Sequence, residues 1–294
     1  MSEQNAAIDA AIERIGRIAR QDPGERGLSG AATPFPLREA AAELLSSRRV
    51  VLLTGFCVRA AMIGETDGPP GTLSLAVALD RLGVKIALVT DAHSAGLLSA
   101  ASAVYGVSFP TTVLTPSNAV AQLDELAASF SPTHVVAIER PGSAADGHRY
   151  SMRGEILDDI APAADRLFEL SESRRWKTIA VGDGGNELGM GSLRESLQGR
   201  VKHGPLIFCA TRADFALAVG ISNWGAYALA AAVSLLAGRL LLAPLEKERE
   251  VMEALLAAGA VDGCTKSPSL SVDGLPWESY FPVLKAMYEE ANNF

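Results

Sequence analysis

Residues 178–191, TIAVGDGGNELGMG, set an Asp, two glycines, an Asn and a Glu directly after a short β-branched apolar run. Asp183, Asn186 and Glu187 are the side chains there that could do chemistry. Oxygen donors on a glycine-rich turn suit a hard cation such as Mg²⁺ or Mn²⁺. The run Thr178 to Val181 suits a buried strand, and the stretch from Asn186 onward suits a helix. The polar cluster is thus expected where a strand hands over to a helix, the edge of an open α/β sheet at which ligands bind.

Other polar residues recur at comparable places. In ETDGPPG, Glu65 and Asp67 precede Pro69, Pro70 and Gly71, which open a helix whose free N–H groups attract anions. Asp67 suits both a cap of that helix and a substrate contact. Asp91, in LVTDAHSAG, reads as a helix cap. Glu139 and Arg140 end an apolar run and lead into PGSAADGHRYSMRGE, which presents Asp146, Arg149, Tyr150 and Arg153. A charge at a buried sheet edge needs a partner, and a Glu–Arg ion pair is the purely structural alternative. Asp214 is expected after a strand, with Ser222 and Asn223 at a helix N-terminus. One of that pair is enough for capping, so the other is free to face a ligand. From these strand-end loops, Glu139, Asp183 and Glu187 form the expected ligand set for a divalent cation, Mg²⁺ or Mn²⁺.

The elements that must hold these loops alternate along the chain. Strand-like runs occur at RVVLLTG, VKIALVTD, PTTVLT, HVVAIER, KTIAVGD and GPLIFCA, each separated from the next by a helix-compatible stretch. Such a pattern implies an α/β fold: a doubly wound, mostly parallel sheet with helices on both faces. An amphipathic helix over about residues 5–20 and an irregular segment, QDPGERGLSGAATPFP, precede a second helix. Residues 1–48 are expected to supply N-terminal helices packing on a 49–294 α/β domain, one structural domain overall, with a helical extension after Asn223.

Composition removes several classes of function. Three cysteines, Cys57, Cys209 and Cys264, lack the spacing of a zinc knuckle or disulfide framework, and four histidines lack ligand spacing. A net charge of −8 without a basic, aromatic-laced cluster argues against a nucleic-acid surface. No apolar run has the length of a membrane span, and the acid-containing N-terminus resembles no targeting segment, so a cytoplasmic location is expected. There is no Walker A, G-x-G-x-x-G or G-x-S-x-G run. The GDGGNE run is similar to the Mg²⁺-holding run of haloacid dehalogenase-class phosphatases, but the Asp-x-Asp nucleophile of that class is missing.

Taken in order, TGF, ETDGPPG, AIERPGSAADGHRY, GDGGNELGMG, ADFALAVGISNWGAYAL and VDGLPW resemble the D-glutamate cyclase family, in its C-terminal domain, over about Thr54 to Pro276. This domain type occurs as a separate protein in bacteria and archaea, whereas the eukaryotic enzyme carries a further large domain before it. The resemblance implies a hydro-lyase that dehydrates D-glutamate to 5-oxo-D-proline. Asp67 or Asp146 would take the ammonium proton, and Arg140 or Arg153 would clamp the α-carboxylate. Thr54, Gly55, Glu65, Thr66, Gly184, Gly185, Asn186, Ser222 and Asn223 supply the remaining expected substrate contacts. A bound cation would polarise the γ-carboxylate and reverse the local sign of an acidic chain, drawing in a small acidic metabolite. The rival expectation is a binding or regulatory protein holding a phosphorylated or carboxylated metabolite without turnover. The helical last third also suits a homo-oligomeric interface.

Overall fold

Strands that are apolar on both sides need cover on both sides, and the chain supplies it unevenly. In the computed structural model, which describes residues 3–28 and 33–293, the sheet strands are β1 (Arg49–Thr54), β2 (Lys85–Asp91), β3 (Thr111–Leu114), β4 (His134–Ile138), β5 (Lys177–Gly182) and β6 (Phe215–Ala218). All neighbours are parallel, in the order β3-β2-β1-β4-β5-β6. The chain builds one half outward from β1, then returns to the middle and builds the other from β4. Such a reversal leaves a crevice outside the carboxyl ends of the two central strands. The register brings Thr54 beside Ile138, so the loops after β1 and β4 start next to each other.

Period-two alternation divides the core. Val50, Leu52, Ile86, Leu88, Val136, Ile138, Ile179 and Val181 join one apolar cluster, while Val51, Leu53, Ala87, Val89, Val135, Ala137 and Ala180 join the other. The first face carries α1 (Glu3–Ala19), α2 (Leu37–Leu45), α3 (Pro69–Asp80), α4 (Ala95–Tyr105), α6 (Ser222–Ala237), α7 (Glu246–Ala257) and α8 (Trp277–Asn292). The second carries α5 (Ala119–Phe130) and packed segments of the chain between residues 144 and 209. Helix α6 is buried without a break from Ser222 to Leu235, as a helix apolar on all sides must be. It lies so close to α3 that a Cβ on Gly71 would sit 2.7 Å from Asn223 Cα. No helix among the described residues is long and apolar enough to cross a membrane.

Two expectations fail locally. GPLIFCA is not the sixth strand: Gly204 to Ile207 form a helical turn opened by Pro205, and proline cannot donate to a central ladder. The sixth strand is instead FALA, at 215–218, so Asp214 precedes it; there the carboxylate accepts the Thr178 N–H and hydroxyl at 2.8 and 2.9 Å. Nor does a helix begin at Asn186. The stretch after it runs through turns to a 3₁₀ turn at Gly191–Leu193, and Met190 bridges to Arg212.

Candidate functional site

Three carboxylates from three strand-end loops meet at the crevice. Asp67 follows β1, Glu139 follows β4 and Asp183 follows β5; each is buried, and each offers an oxygen within 4.8 Å of the other two. Glu139 adopts a left-handed backbone, φ +44°, unusual for a side chain of this kind. Its own N–H reaches Val181 O at 3.3 Å, and its carbonyl accepts the Gly55 N–H at 3.2 Å. Backbone bonds to both sides hold that strained turn in place.

The loop after β1 is locked by two helices that cap each other. Asp67 accepts the first N–H groups of α6, Ser222 at 2.9 Å and Asn223 at 2.8 Å, using both oxygens. Asn223 Oδ1 accepts the N–H groups of Gly68 and Gly71 at the start of α3, each at 2.9 Å, and its amide donates to Thr66 O. Asp67 therefore caps a distant helix, and of the one that follows it reaches only the Gly68 N–H, at 3.0 Å. The Ser222 hydroxyl donates to Glu139 at 2.6 Å, so the positive end of α6 faces two of the three carboxylates. Only glycine fits at 68, where φ is +95° and a Cβ would lie 2.8 Å from that of Glu139.

Glu187 stands beside the cluster but outside it. Its Oε1 accepts the N–H groups of Asp183 and Gly184 at 3.0 and 2.6 Å, and its Oε2 accepts that of Gly185 at 2.7 Å. Both oxygens are thus spent on shaping the turn, and Asp67 occupies the third place in the cluster. Asn186 donates to Tyr150 O, while its own side-chain oxygen is buried without a partner and lies on a cavity wall.

Two charged residues that the sequence reading passed over complete the floor. Arg26, from the irregular segment after α1, pairs with Asp183 and reaches Asp273 at 2.9 Å. Asp273 sits with positive φ in the tight turn between residues 271–272 and 275–276. Its Asp-Gly dipeptide is a hairpin signal, and it lies within the quoted VDGLPW, so the turn at least was open to detection. Burial pushes Asp273 up to about 7, reinforced by Asp183 and opposed by Arg26. Burial likewise raises Glu65, Asp67 and Glu139 well above the usual carboxylate range, with neighbouring carboxylates adding to it in each case. For Asp183 burial raises the value and Arg26 opposes it.

The remaining expected contacts scatter. Arg140 is enclosed away from the cavity wall: its two terminal nitrogens pair with Asp91 and donate to Gly55 O and Pro162 O, and only its buried Nε lacks a partner, so it is not placed to clamp a substrate. Asp91 also accepts the His93 and Ser94 N–H groups, shaping the turn into α4. Asp146 is exposed, away from the cavity, and accepts the Tyr150 hydroxyl at 2.6 Å, which lowers its proton affinity. That removes it from the position of a base. Thr66 bonds to Ser271 O, whereas the Thr54 hydroxyl is buried without a partner. Gly184 and Gly185 act through the backbone bonds to Glu187. Arg153 and Glu65 line the cavity, at its exposed and buried parts respectively.

That cavity, of about 440 Å³, opens onto Glu65, Glu139, Asp183, Asn186 and Asp273, with Phe56, Val58, Met152 and Leu157 among its walls. Asp183 Oδ2 and Asp273 Oδ2 are buried there without hydrogen-bond partners. So many buried carboxylates beside one guanidinium must either hold protons or gather more positive charge. Oxygen-only donors suit Mg²⁺ or Mn²⁺, and the residues present therefore fit such an ion, with Asp67, Glu139 and Asp183 as the candidate ligands.

The family described as D-glutamate cyclase-like, C-terminal, matches residues 15–288. Human mitochondrial D-glutamate cyclase is 34% identical over 229 residues, which are 73% of this chain but 37% of that protein. The match thus spans little over a third of the human relative's length. With nearly the whole chain covered by the family match, and the ordered loop motifs placed around one crevice, this protein belongs to the D-glutamate cyclase-like C-terminal family.

Proposed function

We propose that the chain is a lyase that closes a small acidic amino acid, D-glutamate in the first instance, into its lactam, 5-oxo-D-proline, in a reaction dependent on a divalent cation. The observation that carries this reading is the convergence of Asp67, Glu139 and Asp183 at the switch point of the sheet, beside an unpartnered buried oxygen. Held by these residues, Mg²⁺ or Mn²⁺ would supply the positive charge that makes a γ-carboxylate a usable electrophile.

The protein's own groups account for the protons. Asp273, at about 7, is poised to take one from the substrate ammonium near neutral pH. The freed amine attacks the γ-carbon, a C–N bond forms and a C–O bond breaks. Of the three ammonium hydrogens, one stays on the lactam nitrogen, one goes to Asp273 and the third joins a proton from Glu65 on the expelled oxygen to make water; return of the Asp273 proton to Glu65 resets the pair. Glu65, raised well above its ordinary value by burial and by Asp273, retains a proton that it can hand to the departing oxygen. Arg26 pairs with Asp183 and opposes the rise that burial imposes on it, and the Glu187 turn holds Asp183 in position.

The test is a mass-spectrometric assay of 5-oxoproline formed from D- and L-glutamate with Mg²⁺ or Mn²⁺, beside calorimetry of Mn²⁺ binding. Conversion of one enantiomer is expected, with both conversion and Mn²⁺ binding lost in Asp183→Asn. No product from either enantiomer would overturn the reading, and equal Mn²⁺ affinity in wild type and variant would overturn the metal assignment.

A further inference from the structure

The acidic floor occupies only part of the cavity. Above it the walls turn apolar, through Phe56, Val58, Met152 and Leu157, and the exposed mouth carries more cations than anions, with Glu25 and Glu155 as its acidic members. Arg153, Arg200, Lys202 and Lys266 come to that mouth from three loops, Arg200 and Lys202 sharing one; all are exposed and none is ion-paired among the described residues. Arg59, also at the mouth, behaves differently: Glu155 at 3.0 Å and Asp159 at 2.5 Å already neutralise it. In a chain of net charge −8, a group of unpaired cations around one opening runs against the overall balance.

Size points the same way. A volume of about 440 Å³ lies in the range that holds a drug-sized ligand, whereas free glutamate has only about ten non-hydrogen atoms. Floor, apolar waist and cationic rim together describe a longer molecule. Its amino-acid head would meet the carboxylates, an uncharged middle would pass the apolar walls and a second anionic group would reach the rim.

Building on the reading of the floor given above, we propose that the cavity is shaped for a glutamyl compound longer than the free amino acid. Its distal carboxylate or phosphate lies among Arg153, Arg200 and Lys202. The rim then acts as a selector: it favours substrates by the charge of a group remote from the reacting atoms, and the floor is common to short and long compounds.

The experiment measures calorimetric affinity, in the presence of Mn²⁺, for D-glutamate, for D-glutamyl-glutamate joined through either carboxyl, for its neutral isostere D-glutamyl-glutamine and for D-glutamyl-phosphoserine. Each is measured on the wild type and on Arg200→Ala/Lys202→Ala, with the lactam product followed in parallel: 5-oxoproline with water from free glutamate, 5-oxoproline with the released second residue from a γ-joined compound, and the 5-oxoprolyl dipeptide with water from an α-joined one. The anionic dipeptide joined in the productive way is expected to bind about tenfold more tightly than both free glutamate and the neutral isostere. That advantage should fall to less than about twofold in the double variant, and should shrink with added salt. Tighter binding of the phosphoserine compound would identify the distal group as phosphate, and tighter binding of glutamyl-glutamate would identify it as carboxylate. Equal affinity for the anionic and neutral dipeptides, or an advantage that survives in the double variant, would overturn the proposal. If free glutamate is bound and cyclised while no dipeptide binds better, the rim assignment fails and the lyase reading stands. Tight, rim-dependent dipeptide binding with no lactam product from any compound has the reverse meaning.

Discussion

Two regions of the molecule bury carboxylates, and they do so in opposite ways. On the helical face, Glu248 of α7 is enclosed with one hydrogen-bond donor, the Tyr105 hydroxyl at 2.9 Å, and no cation. Burial pushes it up to about 7, with Tyr105 opposing. At the strand ends, Glu65, Asp67, Glu139, Asp183 and Glu187 are buried together, with half-buried Asp273 beside them, and Arg26 pairs with Asp183 and Asp273. A lone buried acid becomes neutral by keeping one proton, and the core around it stays satisfied. Crowded acids raise one another, and each proton taken up relieves the rest, so the group as a whole attracts cations. Burial is therefore common to both regions; crowding is what distinguishes the strand-end cluster from a polar residue tolerated in a core.

The largest expected effect breaks the crowded side. Glu139→Gln keeps the size and the bond from Ser222 but removes one of the converging charges. Turnover should fall by roughly 10²- to 10⁴-fold and Mn²⁺ affinity should weaken, both measured on purified protein at one pH. An unchanged rate would mean that the cluster is no more functional than Glu248.

The next test uses the isolated side. Glu248 titrates from 4.5 in its ordinary state to about 7 in the folded protein, so the folded state holds the extra proton between those values. Its contribution is complete below about pH 4 and is lost as pH rises through about 7, about 3 kcal/mol in total. Urea unfolding at pH 5 and pH 8 should show that Glu248→Gln loses less stability across this interval than the wild type does. Equal losses would remove Glu248 from the comparison.

Asp67 belongs to both descriptions, since it is a cluster member and a helix cap at once. An Asn at this position can accept with one atom only, and its amide would face the Ser222 N–H or the Asn223 N–H. Asp67→Asn should therefore cost about 1–3 kcal/mol by chemical denaturation in addition to its effect on rate. This differs from the expectation for an ordinary cap, where Asn replaces Asp almost freely. The smallest effect is reserved for Asp146→Asn: with its carboxylate exposed and distant from the cavity, rate and melting temperature should both remain near wild type.

How far the sequence led depended on what kind of order each feature needed. Strands β1 to β5 were legible because short apolar, β-branched runs recur between helix-compatible stretches, and the loops after them carried Glu139, Asp183 and Glu187 into view. Strand β6 was hidden because FALA is short and follows a more apolar stretch that Pro205 turns into a helical turn. The strand order and its reversal are products of packing between distant segments, and no local pattern encodes them. Arg26 meets Asp183 across 157 residues of sequence, and nothing in QDPGERG distinguishes it from a solvated surface arginine. Glu187 was recognised as polar and near the site, but its use as an acceptor of three N–H groups depends on the turn's actual dihedrals. Arg140 was misjudged for the same reason, because Asp91 reaches it from the neighbouring loop only once β1, β2 and β4 have assembled.

The mutual capping of α3 and α6 has a consequence for how the protein comes into being. The bonds that hold Asp67 join residues 155 and 156 positions apart. Contacts so remote in sequence form late, because the intervening chain must be brought together before they repay the entropy of closing it. On the ribosome, the first half of the sheet can emerge and begin to collapse while the first turn of α6 has not yet been synthesised. Until it emerges, Asp67 has no backbone donors from α6, and Gly68 and Gly71 have no asparagine oxygen to accept their N–H groups. A nascent chain interrupted before Ser222 would carry all six strands of the sheet but an unformed carboxylate cluster. Appearance of cation binding during synthesis would then mark the moment at which the last third of the chain docks.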